Sequence, residues 1–195
     1  MEFEEEPTGT IPNPAWKEEV FGESDWRIGD TYNTAIGQYG FQIPAIQAVR
    51  AVAAIATKGK LVQPSIVQGG VDEVIQLPIE SEHFAIAHEG MRGSVTRGTA
   101  AALNFPWIEV AGKTGTAEVG RGKQFMHSWI VGFFPYDKPK YAFAVVMERA
   151  PSGTLQGAPY VMYQFMNWMK KNTPEYVDFS ETATSTSSLN PSRPS

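Results

Sequence analysis

The chain has 195 residues, 42% of them hydrophobic, and its 16 basic and 21 acidic residues give a net charge of −5. This size and composition allow one domain with a sizeable core, and the acidic balance argues against binding nucleic acid through a basic surface. The absence of cysteine excludes disulfides, thiolate metal sites and a cysteine nucleophile. The three histidines form no metal-ligand pair, so we expect neither a metal nor another cofactor.

The hydrophobic segments are all short. The longest apolar runs, at 51–56, 129–134 and 141–147, fall far below the ~20 residues that a membrane-spanning helix needs. Four glutamates follow Met1 within five residues, where a secretory signal has basic residues and an apolar core. We therefore expect no membrane segment and no signal peptide in this sequence.

The first predicted element is a helix. Residues 1–33 are predicted to be irregular, because prolines and glycines interrupt every candidate element. A helix is predicted from Pro44 to Thr57, with proline at its first position and Gly59 ending it. Ile43 before it is a poor cap, which costs about 0.5–2 kcal/mol relative to Ser or Thr.

A hairpin and a second helix are predicted next. Two short strands, at 65–67 and 71–76, flank Gly69-Gly70, a dipeptide suited to a tight turn. The second helix is predicted from Ser81, a candidate cap, to Arg97. Its apolar stripe consists of Phe84, Ala87, Met91 and Val95.

The last part of the chain is predicted to contain three strands and a helix. The strands lie at about 107–118, 127–135 and 140–148, and the last two are apolar almost without alternation, so both faces should be covered. The helix, at about 158–171, has a stripe interpreted as core. That stripe is formed by Val161, Phe165 and Trp168. From Thr173 onward, Ser, Thr and Pro predict a flexible tail.

The segment Val110–Ala117 carries the most informative motif. It contains a lysine and two threonines that flank a glycine, after an apolar lead-in typical of a strand. The period of two places Lys113 and Gly115 on one face and Thr114 and Thr116 on the other. Glycine weakens a strand, so Gly115 indicates close approach by a ligand or another backbone.

Lys113-Thr114-Gly115 is one of three short motifs of penicillin-binding proteins and class A β-lactamases. Further matching segments occur in the family's order: Pro12-Asn13-Pro14-Ala15-Trp16-Lys17, Gly29-Asp30-Thr31, Ile36-Gly37-Gln38, the 44–56 helix, and His127-Ser128-Trp129 through Gly132-Phe133. Over roughly residues 7–170 the chain resembles the C-terminal half of the transpeptidase domain of penicillin-binding protein 2, the class B enzyme of wall elongation.

The sequence departs from the family pattern at several places. Tyr39 precedes Gly40 where another glycine is usual, and Ile43 replaces a threonine cap. No Ser-x-x-Lys occurs, and the one Ser-x-Asn, Ser188-Leu189-Asn190, follows Lys113 instead of preceding it. From this we expect a chain that starts downstream of the family's second motif and lacks the nucleophilic serine.

The resemblance implies an α+β fold, a partial penicillin-binding-protein or serine β-lactamase-like fold. Residues 1–172 would be the C-terminal part of the transpeptidase domain and 173–195 the tail. A three-stranded antiparallel sheet would have the Lys-Thr-Gly strand at one edge, with helices on both faces. The strand at 140–148 would pair with a strand of a missing N-terminal half, so we expect the isolated chain to be poorly soluble or loosely packed.

By the same resemblance, Lys113 and Thr116 are the candidate catalytic residues, and Thr114, Gly115 and Thr116 the candidate substrate-binding residues. Lys113 would supply positive charge, the threonine hydroxyls would bind a carboxylate, and the Thr116 N–H would form half an oxyanion hole. Structural alternatives exist: a lysine that protects a sheet edge, threonines chosen for strand propensity, and a glycine at a β-bulge. Gln38 and His127 are candidate supporting residues, and for His127 a structural hydrogen bond is the favoured interpretation.

The implied partners are peptidoglycan stem peptides, β-lactams and the N-terminal half of the domain, at the outer face of the cytoplasmic membrane. The leading hypothesis is a C-terminal portion of a D,D-transpeptidase, inert alone, from a truncated or split gene. One alternative is a non-catalytic module that binds peptide or a partner through open sheet edges. The other is one half of a two-chain transpeptidase.

Overall fold

A computed structural model describes residues 9–23, 25–67, 73–120 and 122–179. The helices are α1 (Pro14–Phe21), α2 (Ile28–Ala35), α3 (Ala45–Ala56), α4 (Ser81–Arg97) and α5 (Ala158–Asn172), with short 3-10 turns at Ala101–Leu103 and Pro174–Tyr176. The strands are β1 (Lys60–Val62), β2 (Val74–Gln76), β3 (Ala111–Val119), β4 (Phe125–Phe134) and β5 (Tyr141–Pro151). The predicted α+β fold is confirmed.

The main sheet has three antiparallel strands in the order β3-β4-β5. Gly112 lies opposite Gly132, which in turn lies opposite Phe143. A side chain at Gly132 would overlap the Ala111 carbonyl oxygen and the Phe143 ring, so only glycine lets the strands approach this closely. Within the described residues β3 and β5 are both edge strands.

Helices cover both faces of this sheet, as predicted. On one face Ile130 and Phe134 of β4 pack in a cluster with Met162 and Met166 of α5. Phe133 lies in the cluster of the opposite face, with Val52 and Ala56 of α3. Because successive residues of β4 point to opposite faces of the sheet, the strand contributes side chains to two separate cores.

Among the described residues, the predicted irregular structure of 1–33 is wrong where α1 and α2 lie. Asn13 caps α1 by accepting a hydrogen bond from the Trp16 N–H at 3.0 Å, and Pro14 follows at the first turn. Gly22 ends the helix in the left-handed conformation, with φ of 71°. The prolines and glycines thus mark helix ends. Their density makes the two short helices difficult to predict but does not prevent them from forming.

An ion pair and an aromatic cluster hold α1 and α2 together. Lys17, only 5% exposed, places its ammonium 2.8 Å from the Asp30 carboxylate. The rings of Trp16, Phe21 and Trp26 surround Tyr39 at centroid distances of 5.4 to 6.4 Å. Tyr39 takes a φ of 63°, so it adopts the backbone that a glycine would adopt here while its ring fills the cluster.

Several predicted boundaries shift by a few residues. The α3 helix begins at Ala45, so Pro44 is its cap and not its first residue. The bounds of α4 are those predicted, although Glu80 and not Ser81 is the cap. The strand predicted at 65–67 lies earlier, at Lys60–Val62, where it pairs antiparallel with β2, and Gly69-Gly70 lies outside the described residues.

The predicted core stripe of α5 is wrong. Val161, Phe165 and Trp168 are 42%, 50% and 53% exposed. The helix instead buries its Met162 and Met166 side. The sequence offers two apolar stripes on this helix, and only the position of the sheet selects between them.

Order also continues past the predicted start of the tail at Thr173. Val177 is 3% exposed and belongs to the core on the α5 face of the sheet. The Lys140 ammonium lies 4.2 Å from the centre of the Phe179 ring. The predicted boundary at 172 is therefore too early, and the remainder, with Ser188–Asn190, lies outside the described residues.

Candidate functional site

The motif strand β3 alternates as expected. Thr114 lies opposite Ile130, in the core beneath α5, and Lys113 lies opposite Val131, which packs against the core beneath α3. The two threonines therefore share the α5 side of the strand, and Lys113 and Gly115 share the other. Lys113 and Thr116 are exposed.

The backbone of β3 presents hydrogen-bonding groups to its open edge. The Thr114 carbonyl accepts a hydrogen bond from Lys113 Nζ at 2.7 Å, and the Val110 carbonyl accepts one from Arg92 Nη1 at 3.0 Å. Both carbonyls thus face away from β4. Because every second residue of an antiparallel strand has its N–H and C=O on the same side, the Thr116 N–H also faces the open edge.

Lys113 contributes a positive charge that the described part of the chain does not neutralise. Its ammonium binds the neighbouring Thr114 carbonyl. Among the described residues no carboxylate lies within 4.0 Å of it, whereas four other ion pairs are present. An exposed cation beside free backbone donors is suited to an anionic ligand.

The packing of this chain does not require the glycine at 115. A Cβ there would meet only the Trp129 Cβ, at the ordinary distance of 3.4 Å. Gly132, in the neighbouring strand, has no such freedom. Packing among the described residues therefore does not explain why position 115 is a glycine.

The structure adds one residue that the sequence analysis missed. Thr99, just after α4, places its Oγ1 2.6 Å from the Thr114 Oγ1. In the sequence its only signal is Gly98, which marks the end of α4. The contact joins residues 15 apart, so no local pattern reveals it.

His127 makes a structural hydrogen bond. Its Nδ1 accepts from the Arg149 N–H at 3.2 Å, so the proton of the neutral ring is on Nε2. Two residues of β5, Glu148 and Arg149, stand opposite His127 in a β-bulge. The ring thus supports the bulge between β4 and β5, and within the described ranges it forms no hydrogen bond to a residue of β3.

Gln38 lies in the turn after α2. Its N–H donates to the Asn33 carbonyl at 2.9 Å, and its carbonyl accepts from Phe41 at 3.4 Å. Within the described ranges its side chain makes no hydrogen bond, and the structure does not join it to the motif strand.

Contacts of Arg92 and Ser128 position β3 and β4. Arg92 of α4 binds the Val110 carbonyl and, at 2.8 Å, the Glu109 carboxylate, and so fixes the start of β3. Ser128 of β4 accepts the first N–H of α5, from Ala158, at 2.9 Å. The hydroxyl thereby satisfies one of the unpaired donors at the helix start.

An open strand edge with a Lys-Thr-Gly-Thr segment, a sheet covered by helices and an α+β topology define a penicillin-binding fold. Residues 1–167 match the family profile of the penicillin-binding protein transpeptidase domain, and the chain belongs to this family. Its relatives include the peptidoglycan D,D-transpeptidase MrdA of Acinetobacter baumannii, 30% identical over 78% of this chain. The resemblance to penicillin-binding protein 2 is thereby confirmed.

Solved structures agree. Penicillin-binding protein 2 of Helicobacter pylori, in its complex with MreC, matches 86% of this chain with a TM-score of 0.72 and 31% identity. Penicillin-binding protein 2 of Pseudomonas aeruginosa, in complex with WCK 5153, matches 84% with a TM-score of 0.67 and 30% identity.

The match covers only part of each relative. It spans 26% of the Acinetobacter baumannii protein, 32% of the Helicobacter pylori chain and 39% of the Pseudomonas aeruginosa chain. Within the described ranges, no helix combines the length and the apolar composition that a membrane crossing requires.

Proposed function

We propose that this chain supplies the substrate clamp of a peptidoglycan D,D-transpeptidase, which cross-links stem peptides ending in D-Ala-D-Ala and binds penicillin at the same place. The observation that carries the proposal is the open edge of β3. There four consecutive residues of one strand carry Lys113, which no described carboxylate neutralises, two threonine hydroxyls and the Thr116 N–H. The proposed location is the outer face of the cytoplasmic membrane.

Each group has a role in acyl transfer. In such a reaction a serine attacks the peptide carbonyl, an acyl-enzyme forms, and the amine of a second peptide resolves it. The Thr116 N–H, directed to the open edge, would donate to the oxyanion, and the Lys113 charge would attract the substrate carboxylate. Thr114 and Thr116 would donate hydrogen bonds from their hydroxyls to that carboxylate.

Gly115 has a role in peptide binding. A peptide that adds to β3 as an antiparallel strand gains backbone hydrogen bonds and needs room beside the edge. Gly115 leaves that room without being demanded by this chain's packing.

The second open edge, β5, supports a proposed partner. Beside it lies a groove of about 370 Å³, whose apolar lining includes Val49 of α3, Phe143 and Val145 of β5, and Phe165 of α5. We propose that a strand from a family N-terminal half pairs with β5 there. That half would carry Ser-x-x-Lys, which this sequence does not contain.

The missing nucleophile motif favours one second candidate, a non-catalytic module that holds stem peptide through the same β3 edge. It uses the identical clamp without acyl transfer. The two candidates differ in a single measurable property, the formation of a covalent penicillin adduct in the presence of an N-terminal half.

Labelling with a fluorescent penicillin tests the proposal, on this chain alone and on this chain co-expressed with a family N-terminal half. The proposal predicts labelling only in the co-expressed pair, and its loss with Lys113→Ala. Lys123→Ala, an exposed lysine in the β3–β4 connection that pairs with Glu118, is the matched control and should label normally. Labelling of the chain alone, or none in the pair, contradicts the catalytic proposal.

A further inference from the structure

The hydroxyl pair formed by Thr99 and Thr114 assigns a function to a residue outside the motif. We propose that Thr99 is a positioning residue, which orients the Thr114 hydroxyl so that its proton is available to the carboxylate of a stem peptide or penicillin. The inference rests on the proposed function of β3 as the clamp. It adds a residue from the loop after α4 to a site otherwise built on one strand.

Thr99 is held in place by a rigid turn. The N–H groups of Gly98 and Ala100 both donate to the Ser94 carbonyl, at 3.1 and 3.0 Å. Ala100 is fully buried, and a Cβ at Gly98 would lie 2.9 Å from the Ser94 Cα. The backbone at 99 is therefore fixed on both sides, and its hydroxyl reaches Thr114 from a defined position.

The number of protons in the pair determines what it can bind. Each hydroxyl has one proton and two lone pairs, whereas a carboxylate only accepts. One proton lies between the two oxygens, at 2.6 Å, which leaves one for a ligand. When a carboxylate approaches Thr114, the favourable arrangement has Thr99 donating to Thr114 and Thr114 donating to the carboxylate, and each bond polarises the next.

Thr116 has no equivalent support. It lies opposite Ser128 in the sheet, whose hydroxyl accepts a hydrogen bond from the Ala158 N–H. Within the described ranges no side chain forms a hydrogen bond with the Thr116 hydroxyl, whereas the Thr114 hydroxyl has one with Thr99. We therefore expect Thr99 to improve carboxylate binding specifically through Thr114.

The test compares two substitutions at 99 in the co-expressed pair. Thr99→Val keeps the shape and removes the hydroxyl, and Thr99→Ser restores the hydroxyl. Labelling rates are measured with the fluorescent penicillin as free acid and as methyl ester, which lacks the anion. We expect Thr99→Val to slow labelling by the acid about tenfold, the effect of one lost side-chain hydrogen bond, and to leave the ester rate unchanged. Thr99→Ser should restore the acid rate.

Each other outcome contradicts the inference in a distinct way. Equal slowing of acid and ester indicates a purely structural residue. An acid rate unchanged in Thr99→Val overturns the positioning role and leaves the proposed function standing. Absence of labelling in the unaltered pair overturns the proposed function, and the role of Thr99 falls with it.

Discussion

Two glycines of neighbouring strands show that the surroundings of a residue determine whether the fold requires it. Gly132 is required by the fold, since a side chain would overlap the Ala111 carbonyl oxygen, whereas Gly115 has open space beyond the Trp129 Cβ. Sequence alone treats both as strand-breaking residues. The structure assigns the first to packing, and for the second we propose a role in ligand binding.

This difference predicts opposite effects of one substitution. Gly115→Ala should leave the thermal unfolding midpoint of the co-expressed pair unchanged or slightly raised, because alanine restricts the unfolded chain, yet it should slow penicillin labelling. Gly132→Ala should destabilise by roughly 1–3 kcal/mol through overpacking. Thermal unfolding and labelling of both variants check this, and a normal labelling rate in Gly115→Ala would argue against a ligand along the β3 edge.

Single residues also mark the limit of sequence reasoning. Lys113, Thr114 and Thr116 are recognisable because they share a strand, where a period of two predicts their faces. Thr99 is not, because its contact with Thr114 depends on how α4 packs beside β3. For His127, the bulge in β5 decides its hydrogen bond, and nothing near it in sequence shows that bulge.

Among the elements, α1 and α2 carry two ionisable groups whose pKa values are shifted by their contact with each other. The hydrogen bond from Lys17 lowers the pKa of the Asp30 carboxyl below its usual 3.8, and the Arg27 N–H adds to this effect. The same hydrogen bond raises the pKa of Lys17 above its usual 10.5. The contact of the two helices is therefore coupled to pH at both ends of the scale.

The sign of each shift fixes the pH window. Asp30 contributes stability that is present above pH 3.8 and is lost as pH falls through its lower folded pKa. Lys17 contributes stability that is present below pH 10.5 and is lost as pH rises through its higher folded pKa. NMR signals of the Trp16 and Trp26 indoles should stay native between these two pH values and change beyond them. In Lys17→Met the indole signals should no longer stay constant over this pH range. Signals that stay as constant in that variant as in the unaltered protein would contradict a role of the ion pair.

Among the secondary-structure elements, the strands and long helices can be predicted from the sequence, and each exception has a physical reason. The α1 helix has a recognisable cap in Asn13 and a recognisable end in Gly22, but eight residues are too few for a clear apolar stripe. The α5 helix has two stripes, so its buried face depends on the sheet. The Lys60–Val62 strand is three residues long, too short for alternation to fix its position.

For the whole molecule, the edge of β5 that no described strand covers and the exposed face of α5 adjoin the same groove. Phe165 lines that groove while half exposed, and Tyr141 stands at the start of β5. An apolar groove beside an unpaired strand favours association with another polypeptide. This chain matches only part of each of the two solved structures. We therefore propose the family N-terminal half as the occupant of the groove.

This arrangement predicts the solution state. The isolated chain should elute as oligomers or aggregates and unfold without a sharp transition. Co-expression with a family N-terminal half should give a one-to-one complex with a cooperative melt, since the β5 edge is then covered. Light scattering on a size-exclusion column and calorimetry measure both. A soluble monomer with a sharp melt would contradict the prediction.

We propose that the edge of β3 binds the substrate carboxylate and the oxyanion. The most direct measurement is a crystal structure of the co-expressed pair after reaction with penicillin. We expect the acyl oxygen about 2.7–3.1 Å from the Thr116 nitrogen, with the penicillin carboxylate within hydrogen-bond distance of the Thr114 and Thr116 hydroxyls and near Lys113. An adduct whose carboxylate and acyl oxygen both lie away from β3 would contradict the claim.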